Sequence, residues 1–128
     1  MHSVLIVDDH TINRHWLKTW LGDVFPEWEF QEAENGQVGM EMALLNRPDV
    51  VLMDISMPVM DGIEATELIK KSAPDIAVIV MTLHRSAQYR DRAHEAGASG
   101  FVRKDRADEE LVPLIESVLV EKERLEGV

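Results

Sequence analysis

Val50-Val51-Leu52-Met53-Asp54-Ile55-Ser56-Met57-Pro58-Val59-Met60-Asp61-Gly62 is the stretch on which the fold turns. It opens with four apolar residues in succession, not with alternation, and then meets a carboxylate and a run of turn formers. A continuous β-rich run of this kind suits a parallel strand buried on both faces. Val4-Leu5-Ile6-Val7 and Ile76-Ala77-Val78-Ile79-Val80-Met81 read the same way, and Glu29 to Ala33 and Gly100 to Arg103 are weaker strand candidates. Stretches of helical period lie between them: Ile12 to Val24, Gly36 to Asn46, Gly62 to Ser72, Ser86 to Ala96, and a last helix ending near Leu125. In the first, Ile12, Trp16, Leu17, Trp20, Leu21 and Val24 trace an apolar stripe, which places both tryptophans in the core. Gly22, Pro26, Pro48, Pro74 and Gly97 stand as punctuation between elements, with Gly97 in the place of a left-handed helix cap. Five strand-then-helix repeats predict an α/β sandwich with a parallel sheet and right-handed crossovers. If Asp108 caps the last helix, Pro113 falls at its fifth position, which predicts a kink or a later start.

Size and charge narrow the function classes. The 128 residues fit one domain, and the 13 basic and 24 acidic side chains give a net charge of −11. That charge argues against direct nucleic-acid binding, which gathers Lys and Arg on one face. With no cysteine, disulfide scaffolds, Cys-based zinc sites and thiol nucleophiles are excluded. No apolar run approaches the ~18 residues of a membrane span. The first residues lack a basic leader and cleavage site, so a cytoplasmic protein is expected.

In an open parallel sheet, ligands bind beyond the carboxyl ends of the strands, where the strand order reverses. Here the first strand runs into Asp8-Asp9, the third into Asp54, the fourth into Thr82 and the fifth into Lys104. Neighbouring strands lie about 4.8 Å apart, so carboxylates ending two of them share a small space. Their mutual repulsion calls for Lys104 and a divalent cation, and Mg2+ fits the hard oxygen ligands best. Metal, ammonium and hydroxyl around a carboxylate are the parts needed to transfer a phosphoryl group onto it, with Asp54 as nucleophile. Singly, each residue has a plainer reading as a helix-end charge, a turn cap, a strand β-branch or a solvated lysine. Four complementary groups on four strand ends outweigh those readings. The five histidines show no helical metal-binding pair, which argues against a zinc site.

At this point the sequence resembles the receiver domain of bacterial two-component response regulators (CheY-like), from Val4 to about Leu119. Asp54 to Gly62 is similar to the family's loop around the phosphoacceptor, and Val7-Asp8-Asp9-His10, Thr82 and Phe101-Val102-Arg103-Lys104 match its other stations. Asp9-His10 and Lys104-Asp105 most resemble receivers of NarL/FixJ-type regulators. The resemblance implies a flavodoxin-like doubly wound five-stranded parallel sheet, strand order 2-1-3-4-5, with five helices. It implies that Asp54 accepts phosphate from a sensor histidine kinase or phosphotransfer protein. Asp9, Asp54 and the backbone carbonyl of Ser56 would hold Mg2+, with Mn2+ able to substitute and Asp8 acting through water. Lys104 would hold a phosphoryl oxygen. Thr82 and Phe101 would form the switch that alters the face of helix four, strand five and helix five toward an output domain or protein partner. A phosphorylation-dependent homodimer through that face is a further implication. The domain would span 1–121, with 122–128 a helical tail or the start of a linker. It would phosphorylate and dephosphorylate itself without turning over an external substrate.

The alternative is a phosphate-independent pseudo-receiver that serves as an interaction module, against which the complete set Asp8, Asp9, Asp54, Thr82 and Lys104 argues. A phosphatase of the haloacid-dehalogenase type needs Asp-x-Asp after the first strand, and a flavodoxin needs a Ser/Thr/Gly-rich phosphate loop there; neither is present. Two positions depart from many receivers: Asp105 replaces a cis-proline, and Leu83 replaces a small residue and would slow donor and water access. The resemblance makes Ser56 and His84 rate-tuning. Their substitution is expected to change the lifetime of the phosphorylated form, read as decay of a radiolabelled adduct, without abolishing phosphorylation.

Overall fold

A computed structural model describes residues 2–55, 57, 59–83 and 87–126. Strands and helices alternate as β1 (Ser3–Val7), α1 (Thr11–Val24), β2 (Glu29–Ala33), α2 (Gly36–Asn46), β3 (Val50–Asp54), α3 (Gly62–Ser72), β4 (Ala77–Thr82), α4 (Ala87–Glu95), β5 (Gly100–Arg103) and α5 (Ala107–Leu125). A short 3-10 turn, Lys104–Arg106, joins β5 to α5. The sheet is wholly parallel in the order β2-β1-β3-β4-β5, the arrangement implied by the flavodoxin-like reading.

Side chains on a strand alternate between faces, and here each face has its own helical layer. Leu5, Val7, Val51, Met53, Val78 and Val80 pack with Ala43 of α2, Ile63 and Ile69 of α3 and Ala93 of α4. Val4, Ile6, Val50, Leu52, Ile79 and Met81 pack on the other side with Leu17 and Leu21 of α1 and Leu111, Ile115 and Leu119 of α5. Double coverage explains why the central strands read as unbroken apolar runs. It also leaves the strand ends as the places where polar groups can collect.

The first helix departs from expectation. Leu17 and Leu21 are buried, but Ile12 is 86% exposed and Trp16 51% exposed, and Val24 is exposed at the helix end. At about 100° per residue, Trp16 lies a quarter-turn and Ile12 well over a third of a turn from Leu17. The stripe is therefore wider than the face that meets the sheet. Trp16 stacks on the half-buried Trp20 with ring centroids 5.3 Å apart. Gly22 also lies inside α1, not beyond it, whereas Gly97 takes the left-handed conformation with φ +96°. The last helix does not start late: it begins at Ala107, before Asp108, and carries the exposed Pro113 within it. The carbonyl of Glu109, which the ring nitrogen of Pro113 cannot serve, belongs to an exposed turn where water is available.

At the opposite end of the sheet from Asp54, Asp49 ties separate elements together. Its Oδ2 accepts from the Ser3 amide at 2.9 Å and lies 3.5 Å from His2 Nδ1, while Lys122 Nζ of α5 sits 3.6 Å from its Oδ1. His2 Nε2 is 4.0 Å from Glu123 Oε1, and its ring meets Trp28 edge-on.

Gly62 opens α3 with its amide bonded to the Ile55 carbonyl at 2.9 Å, and a Cβ there would run into the backbone of Asp54 and Ile55. Neither atom belongs to a side chain that could swing away. Gly62→Ala is expected to cost about 3 kcal/mol, read as a lower urea midpoint at unchanged slope.

Candidate functional site

The site is built where β1, β3 and β5 end. Asp54 is the last residue of β3 and only 5% exposed, with hydrophobic layers on both sides of its strand. Asp8 follows β1 and is buried too, fixed by its own surroundings: its Oδ1 accepts from the His10 amide at 2.8 Å and its Oδ2 from the Asn13 side chain. Arg14 Nη1 reaches the Asp8 carbonyl at 2.6 Å and its Nε bonds Glu32 of β2 at 3.0 Å, which pins the start of α1 to the sheet. Lys104, first residue of the turn after β5, spans the gap. Its Nζ lies 3.0 Å from Asp54 Oδ1 and 3.2 Å from Asp8 Oδ2.

Asp9 is adjacent, and its Oδ1 is shielded from solvent without accepting a hydrogen bond. One oxygen each from Asp8, Asp9 and Asp54 and one ring nitrogen of His10 all fall within 4.8 Å of one another. Three carboxylates thus face one ammonium. A divalent cation would balance the remaining two charges, and the Asp9 oxygen, which accepts no hydrogen bond, is a ligand atom such an ion could use.

The whole of this arrangement sits within a region that matches the response regulator receiver domain, over residues 4–116. The chain belongs to that family. GacA, a response regulator of Pseudomonas aeruginosa, is 37% identical over 118 residues, covering 92% of this chain and 55% of that protein. UvrY, a response regulator of Escherichia coli, is also 37% identical over 118 residues, with 54% of its length covered. This receiver therefore spans about half the length of the curated relatives it matches. Among solved structures, a LuxR-family two-component response regulator from Aurantimonas superposes with a TM-score of 0.88 at 31% identity, covering 94% of this chain and 86% of that one. A CheY-like receiver domain protein from Methanospirillum hungatei gives 0.88 at 27% identity, over 97% and 98% of the two chains.

The other residues singled out from the sequence are distributed around the receiver's cluster. Thr82 is buried at the end of β4, one position beyond the Met81 that pairs with Asp54. Phe101 lies on β5 in register with Val80, half-buried, with the Arg90 guanidinium of α4 5.3 Å from its ring centre. That cation–π contact was invisible in the sequence, because it depends on how α4 is rotated over β5. Leu83 is exposed and lines a hollow of about 560 Å³ with His10, Ile12, Asn13, Trp16, Lys104 and Asp105. Asp105 accepts from both Nε and Nη2 of Arg103, at 3.1 and 2.6 Å, so an ionic clamp holds the residue that follows Lys104. Ser56 and His84 lie outside the described residues. No described helix is long and apolar enough to cross a membrane.

Burial dominates the electrostatics. It pushes the Asp54 carboxyl above the ordinary range; Lys104 offsets this only in part, and the charges of Asp8 and Asp9 add to the rise. Burial acts likewise on Asp8, but the His10 amide, Lys104 and Asn13 outweigh it and hold that carboxyl below its usual value. For Lys104 burial favours the neutral amine, and Asp54 and Asp8 more than reverse it, raising its affinity for the proton. A carboxyl raised on folding binds more protons folded than unfolded, so stability falls as pH rises through its range. Asp8 has the opposite sign: its contribution is present at neutral pH and lost as pH falls through its lowered value. Asp54→Asn is therefore expected to be more stable than the parent at pH 7, read as a higher urea midpoint. The difference should shrink in acid as the parent's carboxyl takes up its proton, which urea unfolding at several pH values measures.

Proposed function

We propose that this receiver is the phosphoacceptor of a two-component relay, with Asp54 taking a phosphoryl group from a phosphohistidine on a sensor kinase or phosphotransfer protein. The observation that carries the reading is Asp54 itself: a buried carboxylate ending a central strand, 3.0 Å from an ammonium and beside two further carboxylates, in a chain of the receiver family. An Asp54 oxygen forms the new bond to phosphorus. The phosphorus–nitrogen bond of the donor breaks, and the imidazole leaves with the electron pair and takes a proton from solvent. Lys104, already charged and held between Asp54 and Asp8, then faces a phosphoryl oxygen. Asp9 and Asp54 would hold Mg2+, with Ser56 adding a backbone carbonyl, Asp8 acting through water and Mn2+ able to substitute. Bound there, the ion supplies charge neutralisation of the transferring oxygens.

The acyl phosphate would draw the Thr82 hydroxyl toward it, and Phe101 would turn inward. Phosphate thereby biases a two-state face of α4, β5 and α5 that an output domain, a protein partner or a second copy reads. The chain acts on itself and turns over no external substrate. A cytoplasmic setting goes with this reading, as does the absence of direct nucleic-acid contact by this domain, in keeping with its net charge of −11.

Incubation with Mg2+ and acetyl phosphate, followed by intact-mass spectrometry, is expected to show one added phosphoryl group. Asp54→Ala and EDTA should each abolish it, and Leu83→Ala should speed it severalfold by opening the hollow beside Lys104. Mg2+ bound with no adduct in either parent or Leu83→Ala would instead establish the pseudo-receiver. Saturation at a hundredfold excess over the dissociation constant should also stabilise the fold by about 2.7 kcal/mol.

A further inference from the structure

His10 lies beside the carboxylate cluster. It occupies the N-cap position of α1, yet its side chain makes no capping hydrogen bond. Its amide is instead bonded to Asp8 Oδ1, which folds the residue back over the carboxylates. The ring is 72% exposed, but Nδ1 points inward, 3.1 Å from Asp9 Oδ1 and 3.4 Å from Asp8 Oδ1. Adjacent ligands of one ion, each about 2.1 Å from it, stand about 3.0 Å apart in an octahedron and about 3.4 Å apart in a tetrahedron. The His10–Asp9 separation falls within that interval, and the Asp9 oxygen concerned is the one without a hydrogen bond.

We propose that His10 Nδ1 is a metal ligand of this site, so that it prefers borderline divalent ions such as Co2+, Ni2+ or Zn2+ over what the carboxylates alone would select. The inference rests on the reading that Asp9 and Asp54 hold a cation. An imidazole adds little for Mg2+, whose partners are oxygens, and much for ions later in the first transition row. Ligation requires the tautomer with its proton on Nε2, and the exposed side of the ring gives that N–H water to bond. A transition ion held this way would keep Asp9 and Asp54 occupied and compete with Mg2+ for the same oxygens. The helical pairing rule used on the sequence could not find this ligand, because its partners come from a turn and a neighbouring strand.

Bound Mn2+ is the probe, since pulsed electron paramagnetic resonance reads a directly coordinated nitrogen as 14N modulation of the echo. The modulation is expected in the parent and in His15→Ala, a control on the same helix, and should vanish in His10→Ala. By calorimetry, His10→Ala should lower the ratio of Ni2+ to Mg2+ affinity by on the order of tenfold. An unchanged far-UV circular dichroism spectrum shows that the variant is folded. Mn2+ bound without 14N modulation would overturn the role of His10 and leave the carboxylate site standing. No Mn2+ binding by the parent would overturn both.

Discussion

An ammonium shared by two buried carboxylates is the interaction on which the corner of this molecule depends. Lys104 and Asp8 are 96 positions apart, and their 3.2 Å contact exists only because β1 and β5 end on the same edge of one sheet. A buried carboxylate with no partner is strongly unfavourable, and one with a partner is tolerated when its remaining lone pairs are also served. Asp8 meets that condition in full, with the His10 amide, the Asn13 amide group and Lys104. Asp54 shares Lys104, and burial together with the charges of Asp8 and Asp9 holds its carboxyl above the usual value. The two acids thus differ in surroundings, one carboxyl held below its usual value and the other above it.

The scaffold keeps this imbalance in place by stopping its elements abruptly. β3 ends at Asp54, the Ile55 amide bonds back to Met81 of β4, and the Gly62 amide returns to the Ile55 carbonyl. Asp61 then caps α3 by accepting from the Glu64 amide at 2.8 Å. The loop beyond Asp54 is thus anchored at both ends by backbone bonds, and Gly62 is needed because backbone fills the space a side chain would take.

The parts legible in the sequence were those set by local chemistry. β1, β3 and β4 stood out because a strand covered on both faces must be apolar throughout, and the acids at their ends broke those runs sharply. The edge strands β2 and β5 were fainter, since each has one neighbour and Glu29, Gln31 and Gly100 dilute the pattern. α1 misled because Ile12 and Trp16 are apolar without facing the sheet. The turn of α4 was equally hard to read: Ala93 is its one buried residue among those described, so the sequence has little period to reveal which side meets β5. Asp8, Asp9, Asp54 and Lys104 could be gathered from strand order alone. The inward turn of His10 and the clamp between Arg103 and Asp105 depend on backbone torsions in single residues, and no spacing rule encodes those.

Asp49 bears on how the chain could be rewired. Because it holds His2, Ser3 and Lys122 at once, and His2 lies 4.0 Å from Glu123, the first strand and last helix meet at the end of the sheet farthest from Asp54. A short connection between residues 2 and 123 would therefore cross no part of the sheet. New termini opened in one of the loops at that same end would leave every strand end that bears a carboxylate or the lysine where it is. In the language of topology, the site is a property of the sheet's strand order and not of where the polypeptide starts, and circular permutation is the operation that separates the two.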